Sequence, residues 1–472
     1  MAKARPSALS TIAICKSPRP TASAPIERRN PMSAPVIDRN QPETGITSEH
    51  KRVLAGSMVG TTIEWFDFFI YAQAAGLIFA TQYFDPVSNE NASLAQIISW
   101  ASLGISFLFR PLGAIIAGHL GDRLGRKPVL VVTLVGMGLA TMLMGLLPNY
   151  SAIGIAAPIL LVVLRILQGL SAGGEWGGAA MLAVEHAPRG RRGLFGAFPQ
   201  VGVPLGMFLA TIFMLVLSAG LSQEQFLAWG WRIPFLSSVV LILLGYFIRR
   251  AVEESPAFAE LQDLQKKESA PLAVLFKSHT GTVIKCALIF AANNAVGYFV
   301  IAYFTSYGTK VVGYERTDAL LVALVASIGW FAGTLYFGHL SDKVGRKRTF
   351  IVGYIALAAW SIPSWMAVDS GNLAFFGGAV LILATMLGAT YGPQSALYAE
   401  MFPVKVRLSG VSIGYAFGSI IGGAFAPMIA EMLFTEFKTS MAIATYAIVI
   451  SAISLIGVLM VPKGIQDRDL HV

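Results

Sequence analysis

The stretch from Val53 to Ala80, VLAGSMVGTTIEWFDFFIYAQAAGLIFA, sets two carboxylates inside a run long enough to cross a bilayer. It covers about 28 residues, where a membrane-spanning helix needs roughly 20 apolar ones. Glu64 and Asp67 lie near its middle. On insertion scales a carboxylate at mid-bilayer costs on the order of 2.5–3.5 kcal/mol, so such residues face protein or a water-filled cavity. Three positions apart, the two are expected on one helical face. This stretch alone leaves two readings open: a buried structural pair satisfied by hydroxyls or an arginine, or a proton or substrate site inside a carrier.

The rest of the chain places that helix in a membrane. Of 472 residues, 55% are apolar and 13% charged, and the mean hydropathy is +0.64, which is outside the range of a water-soluble domain. The net charge of +9 sits in short gaps between apolar blocks. That is membrane topology rather than a phosphate-binding face, so a lipid bilayer and no nucleic acid is expected as partner. Cys15 and Cys286 offer neither a metal spacing nor a disulfide framework, and the six histidines form no metal pattern. Residues 1–50, rich in Pro, Ser, Ala and Arg, read as a disordered tail with Met32 as an alternative start.

Candidate spans fall at 53–80, 93–119, 129–147, 152–185, 194–219, 230–249, 282–308, 317–338, 349–368, 372–400, 408–433 and 440–461. Lys and Arg crowd the even-numbered gaps, with Arg123, Arg126 and Lys127 in the second, and Lys343, Arg346, Lys347 and Arg348 in the eighth. The positive-inside bias then predicts both termini in the cytoplasm of a bacterial-type plasma membrane. The expected fold is an all-α membrane protein of twelve transmembrane helices in two pseudo-symmetric six-helix halves. These are 51–249 and 282–462, joined by a cytoplasmic linker, 250–281, and followed by a short tail, 463–472.

The halves repeat. Gly118-His-Leu-Gly-Asp122-Arg-Leu-Gly125-Arg126-Lys127 recurs as Gly338-His-Leu-Ser-Asp342-Lys-Val-Gly345-Arg346-Lys347, 220 positions later. Glu185, Pro188 and Arg192 recur as Glu400, Pro403 and Arg407, 215 positions later. A duplicated six-span unit with the substrate at the interface of its copies is a transporter plan. The spacing lets Asp122 with Arg126, and Asp342 with Arg346, clamp neighbouring helix ends. Glu185 with Arg192, and Glu400 with Arg407, are expected to join the same networks.

These motifs resemble the major facilitator superfamily: the Gly118–Lys127 loop with its copy, and Leu167-Gln-Gly169-Leu-Ser-Ala-Gly173 followed by Leu182, Glu185 and Arg192. Glu64-Trp-Phe-Asp67-Phe, Phe109-Arg110-Pro111-Leu-Gly113, Gly173-Gly-Glu175-Trp-Gly-Gly178 and Trp229-Gly-Trp231-Arg232-Ile-Pro234-Phe are similar to its metabolite:proton symporter family. The resemblance covers about residues 50–462. It implies alternating access by rocking of two halves, driven by the proton gradient without a cofactor, in a monomer that is a transporter and not an enzyme. It also implies that the loop clamps hold the cytoplasmic side shut and break as that side opens.

The charges at hydrocarbon depth divide the roles. The amino-terminal half carries Glu64, Asp67, Arg110, Arg165 and Glu175; the carboxy-terminal half is read as having no comparable mid-span charge. A proton carrier needs a carboxyl group that burial holds neutral and a cation that draws it back to the anion, so Glu64, Asp67 and Arg110 are the proton-coupling candidates. Arg165 is the candidate for a substrate carboxylate. Glu175, Asn293, Asn294, Tyr298, Tyr391 and Gln394 complete the expected substrate contacts. Trp229, Trp231 and Arg232 suit an interfacial belt. The expected function is proton-coupled uptake of a small organic acid, a dicarboxylate or a shikimate-like hydroxy acid, with a zwitterion such as proline or betaine as the alternative. A proton antiporter, a passive facilitator and a membrane receptor are the competing readings.

Overall fold

The computed structural model describes residues 48–88, 91–124, 126–173, 175–188, 190–251 and 271–467, side chains excepted at 48–49, 117–130, 175, 241, 244–251, 271–274 and 405. Residues 1–47 of the expected tail and most of the linker 250–281 lie outside the described residues, while 48–50 already belong to the first helix. So do the side chains of Asp122, Arg126 and Glu175. A short helix, Pro271–Ser278, occupies the end of the linker.

A chain this apolar must satisfy its backbone within each segment, and helices do so. Ten helices among the described residues are long and apolar enough to span by themselves. They are α1 (His50–Phe84), α2 (Ala92–Ile116, whose helix runs on to Leu124), α4 (Ala156–Glu185), α5 (Arg192–Gly220), α7 (Thr280–Val312), α8 (Arg316–Val344), α9 (Arg346–Asp369), α10 (Leu373–Met401), α11 (Arg407–Phe437) and α12 (Ser440–Leu459). Two further helices, α3 (Arg126–Leu146) and α6 (Arg232–Ala251), fill the third and sixth places. Twelve crossings return the chain to the side where α1 begins. That side is called here the terminal face, and the other the opposite face.

Burial sorts the helices. The apolar windows of α1 and α7 are 94% buried, against 39–56% for the other eight spans measured. The two are therefore central and pseudo-equivalent, and a carboxylate on α1 meets protein rather than lipid. The halves meet where α5 packs on α8 and α2 on α11. The first of these crossings is close at the terminal face: a Cβ on Gly193 would sit 2.4 Å from the Gly338 carbonyl oxygen, so only hydrogen fits there. Within the amino-terminal half, a Cβ on Gly173 would lie 2.4 Å from the carbonyl oxygen of Arg110. That contact seats the turn in α4 directly on the backbone that carries the arginine.

Trp231 and Arg232 depart from the interfacial expectation. Trp231 is fully buried against Phe79, Tyr83 and Phe235. Arg232 donates to the carbonyls of Gly145 at 2.9 Å and Leu147 at 2.6 Å, capping the end of α3. Those carbonyls have no intrahelical donor left, and the guanidinium supplies one. Trp229 alone is exposed.

Candidate functional site: a closed cavity between the halves

The two central helices enclose a small cavity. Trp65 of α1, Val203 of α5, Phe290, Asn293, Asn294, Gly297, Tyr298 and Ile301 of α7, Trp330 of α8, Tyr391 of α10 and Tyr415 of α11 line it. Its volume is about 10 Å³, space for roughly one water molecule. Four of the expected substrate contacts, Asn293, Asn294, Tyr298 and Tyr391, are brought together in this wall. Asn293 is held by donating to Thr390 Oγ1 at 2.7 Å and to the Leu387 carbonyl at 3.2 Å. Gln394 is not in the wall; its Oε1 accepts from Gln200 Nε2 at 3.3 Å.

Glu64 and Arg110 form an ion pair one ring away. Arg110 Nη2 lies 3.6 Å from Glu64 Oε1, and both side chains are buried. The guanidinium stands 5.3 Å from the ring centre of Trp65, 4.9 Å from Phe68 and 5.0 Å from Phe107. Trp65 belongs to the cavity wall, and Phe68 and Phe107 touch Tyr298. The pair thus sits against the cavity in a dry, aromatic environment, where an unmatched charge is costly.

Asp67 does not join it. The carboxylate turns into the amino-terminal half and accepts from Ser238 Oγ of α6 at 2.6 Å, with Thr141 of α3 beside it. Thr141 accepts from Gln168 Nε2 at 2.8 Å, and the Gln168 Oε1 accepts from Arg165. Arg165 is fully buried, donates to the Leu103 carbonyl at 2.8 Å and lies 3.8 Å over the Tyr71 ring. It is absent from the cavity wall. The shared face expected for the two acids is therefore corrected, and Arg165, expected at a substrate carboxylate, lies outside the wall of this cavity. Glu64 looks to α2 and the cavity, while Asp67 and Arg165 are ends of one polar chain behind it.

The cavity is shut towards both faces. On the terminal face, Asp342 of α8 accepts from the backbone N–H of Gly193 at 2.8 Å and Leu194 at 2.9 Å, the first turn of α5. A carboxylate at a helix N-terminus meets free donors and the positive end of the dipole. Arg346 bridges Asp342 at 2.8 Å and Glu400 at 3.5 Å. Arg407 of α11 pairs with Glu185 of α4 at 3.5 Å, and the charge of Arg192 acts on Glu400. The repeated Glu and Arg thus meet in one network at the terminal face, with Arg407 and Glu185 paired across the halves. Above this layer, Trp176 of α4 stacks on Tyr415 at 3.7 Å and donates to Gln200 at 2.8 Å.

On the opposite face a second set of contacts joins the halves. Lys310 of α7 donates to Gln96 of α2. Ser306 donates to the Gly76 carbonyl of α1 at 2.9 Å. Arg316 of α8 donates to Ser218 of α5 at 2.6 Å and to Gln223 at 2.7 Å. Glu431 of α11 lies beside Lys310, Tyr303 and Trp100. Glu431 is a charge of the carboxy-terminal half near a span end, which a reading confined to mid-span charges passes over.

A sequence model described as the Major Facilitator Superfamily matches residues 57–427. The chain belongs to the Major Facilitator Superfamily. Within it, the chain is 38% identical over 433 residues to the inner membrane metabolite transport protein YhjE of Escherichia coli, covering 91% of this chain and 97% of that one. It is 38% identical over 399 residues to the shikimate transporter of the same organism, covering 83% and 89%. A Staphylococcus aureus protein named for proline/betaine transport is 34% identical over 413 residues, covering 87% of each. Among solved structures, the xylose transporter XylE of Escherichia coli in a partially occluded inward-open conformation matches with a TM-score of 0.69 at 18% identity, covering 88% of this chain and 98% of that chain. That likeness fixes the fold, two six-helix halves about a central site. As a Major Facilitator protein the chain is a multi-pass membrane transporter and not an enzyme.

Several residues of the site escaped sequence reading. Trp65, Phe290, Trp330 and Tyr415 read as ordinary apolar members of their spans, and nothing in one sequence says which side of a span faces the partner half. For Trp65 the signal was its place between Glu64 and Asp67.

Proposed function

We propose that this transporter is a proton-coupled symporter that takes up a small organic acid by alternating access, with the terminal face in the cytoplasm. The observation that carries the reading is the buried Glu64–Arg110 pair against the cavity. With Glu64 ionised, Arg110 is neutralised and the site has no use for an anion. A proton arriving from outside neutralises Glu64 and releases the guanidinium, whose fork matches a carboxylate. Substrate then restores the charge balance, the halves rock, and the contacts of Asp342 with the start of α5 and of Arg407 with Glu185 open to the cytoplasm. One proton carried with one monoanion moves no net charge, so the pH gradient alone drives that stoichiometry; each further proton moved inward across 100 mV adds about 2.3 kcal/mol, roughly a fifty-fold gradient. The positive-inside distribution of Lys and Arg supports the orientation, and relatives named for metabolite and shikimate transport support the substrate class. The inner membrane of a bacterial-type cell is the matching location.

A zwitterion is the second reading. The six aromatic residues of the cavity wall suit a methylated ammonium through cation–π contact, and one relative is named for proline/betaine transport. Uptake of labelled acids and zwitterions into proteoliposomes, with and without an acid-outside gradient, separates the two. Glu64→Gln is expected to abolish gradient-driven accumulation while sparing exchange. Accumulation at the wild-type level by that variant would refute the coupling role.

A further inference from the structure

We infer that the cavity is built for a hydroxylated, ring-shaped monocarboxylate, with Trp65, Tyr298 and Trp330 donating to its oxygens. The inference rests on the transport reading above and narrows it. Its basis is three polar hydrogens in the cavity wall that have no acceptor, Trp65 Nε1, Trp330 Nε1 and Tyr298 Oη, beside a fourth such group, Tyr415 Oη, whose neighbour is Tyr391. The first three residues are buried, with 3%, 3% and 0% of their surface exposed. An indole N–H can only donate, and buried donors in folded proteins are nearly always paired. These three are therefore waiting for oxygens that the protein itself does not bring.

The other candidates meet the wall less well. A dicarboxylate needs a second cation. Among the described residues Arg110 is the one that abuts the cavity wall, while Arg165 is committed to Leu103 and Gln168 behind it. A methylated ammonium would use the aromatic faces but offers nothing to the donors at its cationic end, and a released Arg110 would repel it. An open-chain acid leaves the faces of Phe290, Trp330, Tyr391 and Tyr415 without a flat partner. A six-membered ring with one carboxylate and several hydroxyls meets all the demands together: faces for the rings, oxygens for the donors, one anion for one guanidinium. Binding must expand the site, since the present cavity holds about 10 Å³.

The test compares four labelled compounds in proteoliposomes under an acid-outside gradient: shikimate, cyclohexene carboxylate, succinate and glycine betaine. Wild type is expected to favour shikimate over the bare ring by about a hundredfold or more in kcat/KM, as a site of committed donors rejects an analogue lacking the partner. Trp330→Phe and Tyr298→Phe keep the rings and delete the donors. Each is expected to narrow that ratio about tenfold, by weakening shikimate far more than the bare ring, which loss of fold would not do. An unchanged ratio in both variants overturns the inference, as does a preference for succinate or betaine; the transport reading survives either outcome. If nothing accumulates, coupling fails instead, and equilibrium binding of shikimate and cyclohexene carboxylate to the same purified proteins decides the substrate class by the same ratio.

Discussion

At the scale of single residues, Arg110 shows why the site needs a guanidinium. Its plane is packed among Trp65, Phe68 and Phe107 at 4.9–5.3 Å while its edge reaches Glu64. Lysine has the charge but neither the flat faces nor the fork. Arg110→Lys is accordingly expected to raise the KM for an acid substrate at least tenfold with the protein still folded, checked by uptake kinetics beside thermal unfolding in detergent. Asp67 carries a different expectation. Its carboxylate is held by Ser238, so Ser238→Ala leaves a buried acceptor short of a donor and is expected to destabilise the protein by about 1–3 kcal/mol, with the shikimate to bare-ring preference unmoved. Chemical denaturation reads the first and uptake the second. The sequence placed both acids on a buried central helix but not in the right directions. Three residues advance a helix by 300°, which leaves two side chains about 60° apart. At the rim of a bundle that angle still counts as one face. On a central helix such as α1, packed on all sides, it separates α2 from α3 and α6.

At the scale of helices, the spans were legible because length and apolarity are enough to define them, and the Lys and Arg gaps marked their ends. What joins one span to another was not. Lys310, Gln96 and Glu431 fall near span ends 121 to 335 positions apart in the chain, and only the packing of α2, α7 and α11 brings them together. The wound-out π turns at Ala75–Phe84 in α1 and at Phe299–Tyr303 and Gly308–Val312 in α7 lie in the same region. Such turns loosen the backbone ladder and recur where helices bend or work. If the opposite face opens by these helix ends parting, the contacts of Lys310 and Arg316 must break on each cycle. The double variant Lys310→Ala with Arg316→Ala is then expected to favour the state open on that face, read as faster labelling of a cysteine placed at Ser306. A wedge acts at the other end. Gly338→Val puts methyl groups where a Cβ already meets Ala197 at 2.6 Å and the Gly193 carbonyl at 3.0 Å. It is expected to hold the terminal face apart and to slow transport, with spin-label distances between α5 and α8 lengthening there and not on the opposite face.

At the scale of the whole molecule, duplication supplies more than two similar halves. Glu185 and Arg407 are members of matching motifs, yet they pair with each other across the halves, while Glu400 bonds Arg346 in its own half and feels the charge of Arg192 from the other. A repeated sequence cannot reveal this exchange, because pairing within a copy and pairing between copies use the same residues; only the approach of α4 to α11 and of α5 to α10 distinguishes them. The exchange has a mechanical consequence. Ion pairs confined to one half would ride along unchanged as the halves rock, whereas pairs between halves break when the terminal face opens and so set the balance between states. Losing one partner of a buried pair is expensive, about 3–5 kcal/mol, because it strands the other charge. A shift of that size moves a two-state equilibrium by about two to four powers of ten. Arg407→Glu alone, setting two acids against each other at the seam, is expected to open the terminal face and abolish net accumulation. Combining it with Glu185→Arg restores an attractive pair in the same place. Recovery of most of the uptake in the double variant, but in neither single one, is the outcome that a seam between halves requires, and its failure would return each charge to its own half.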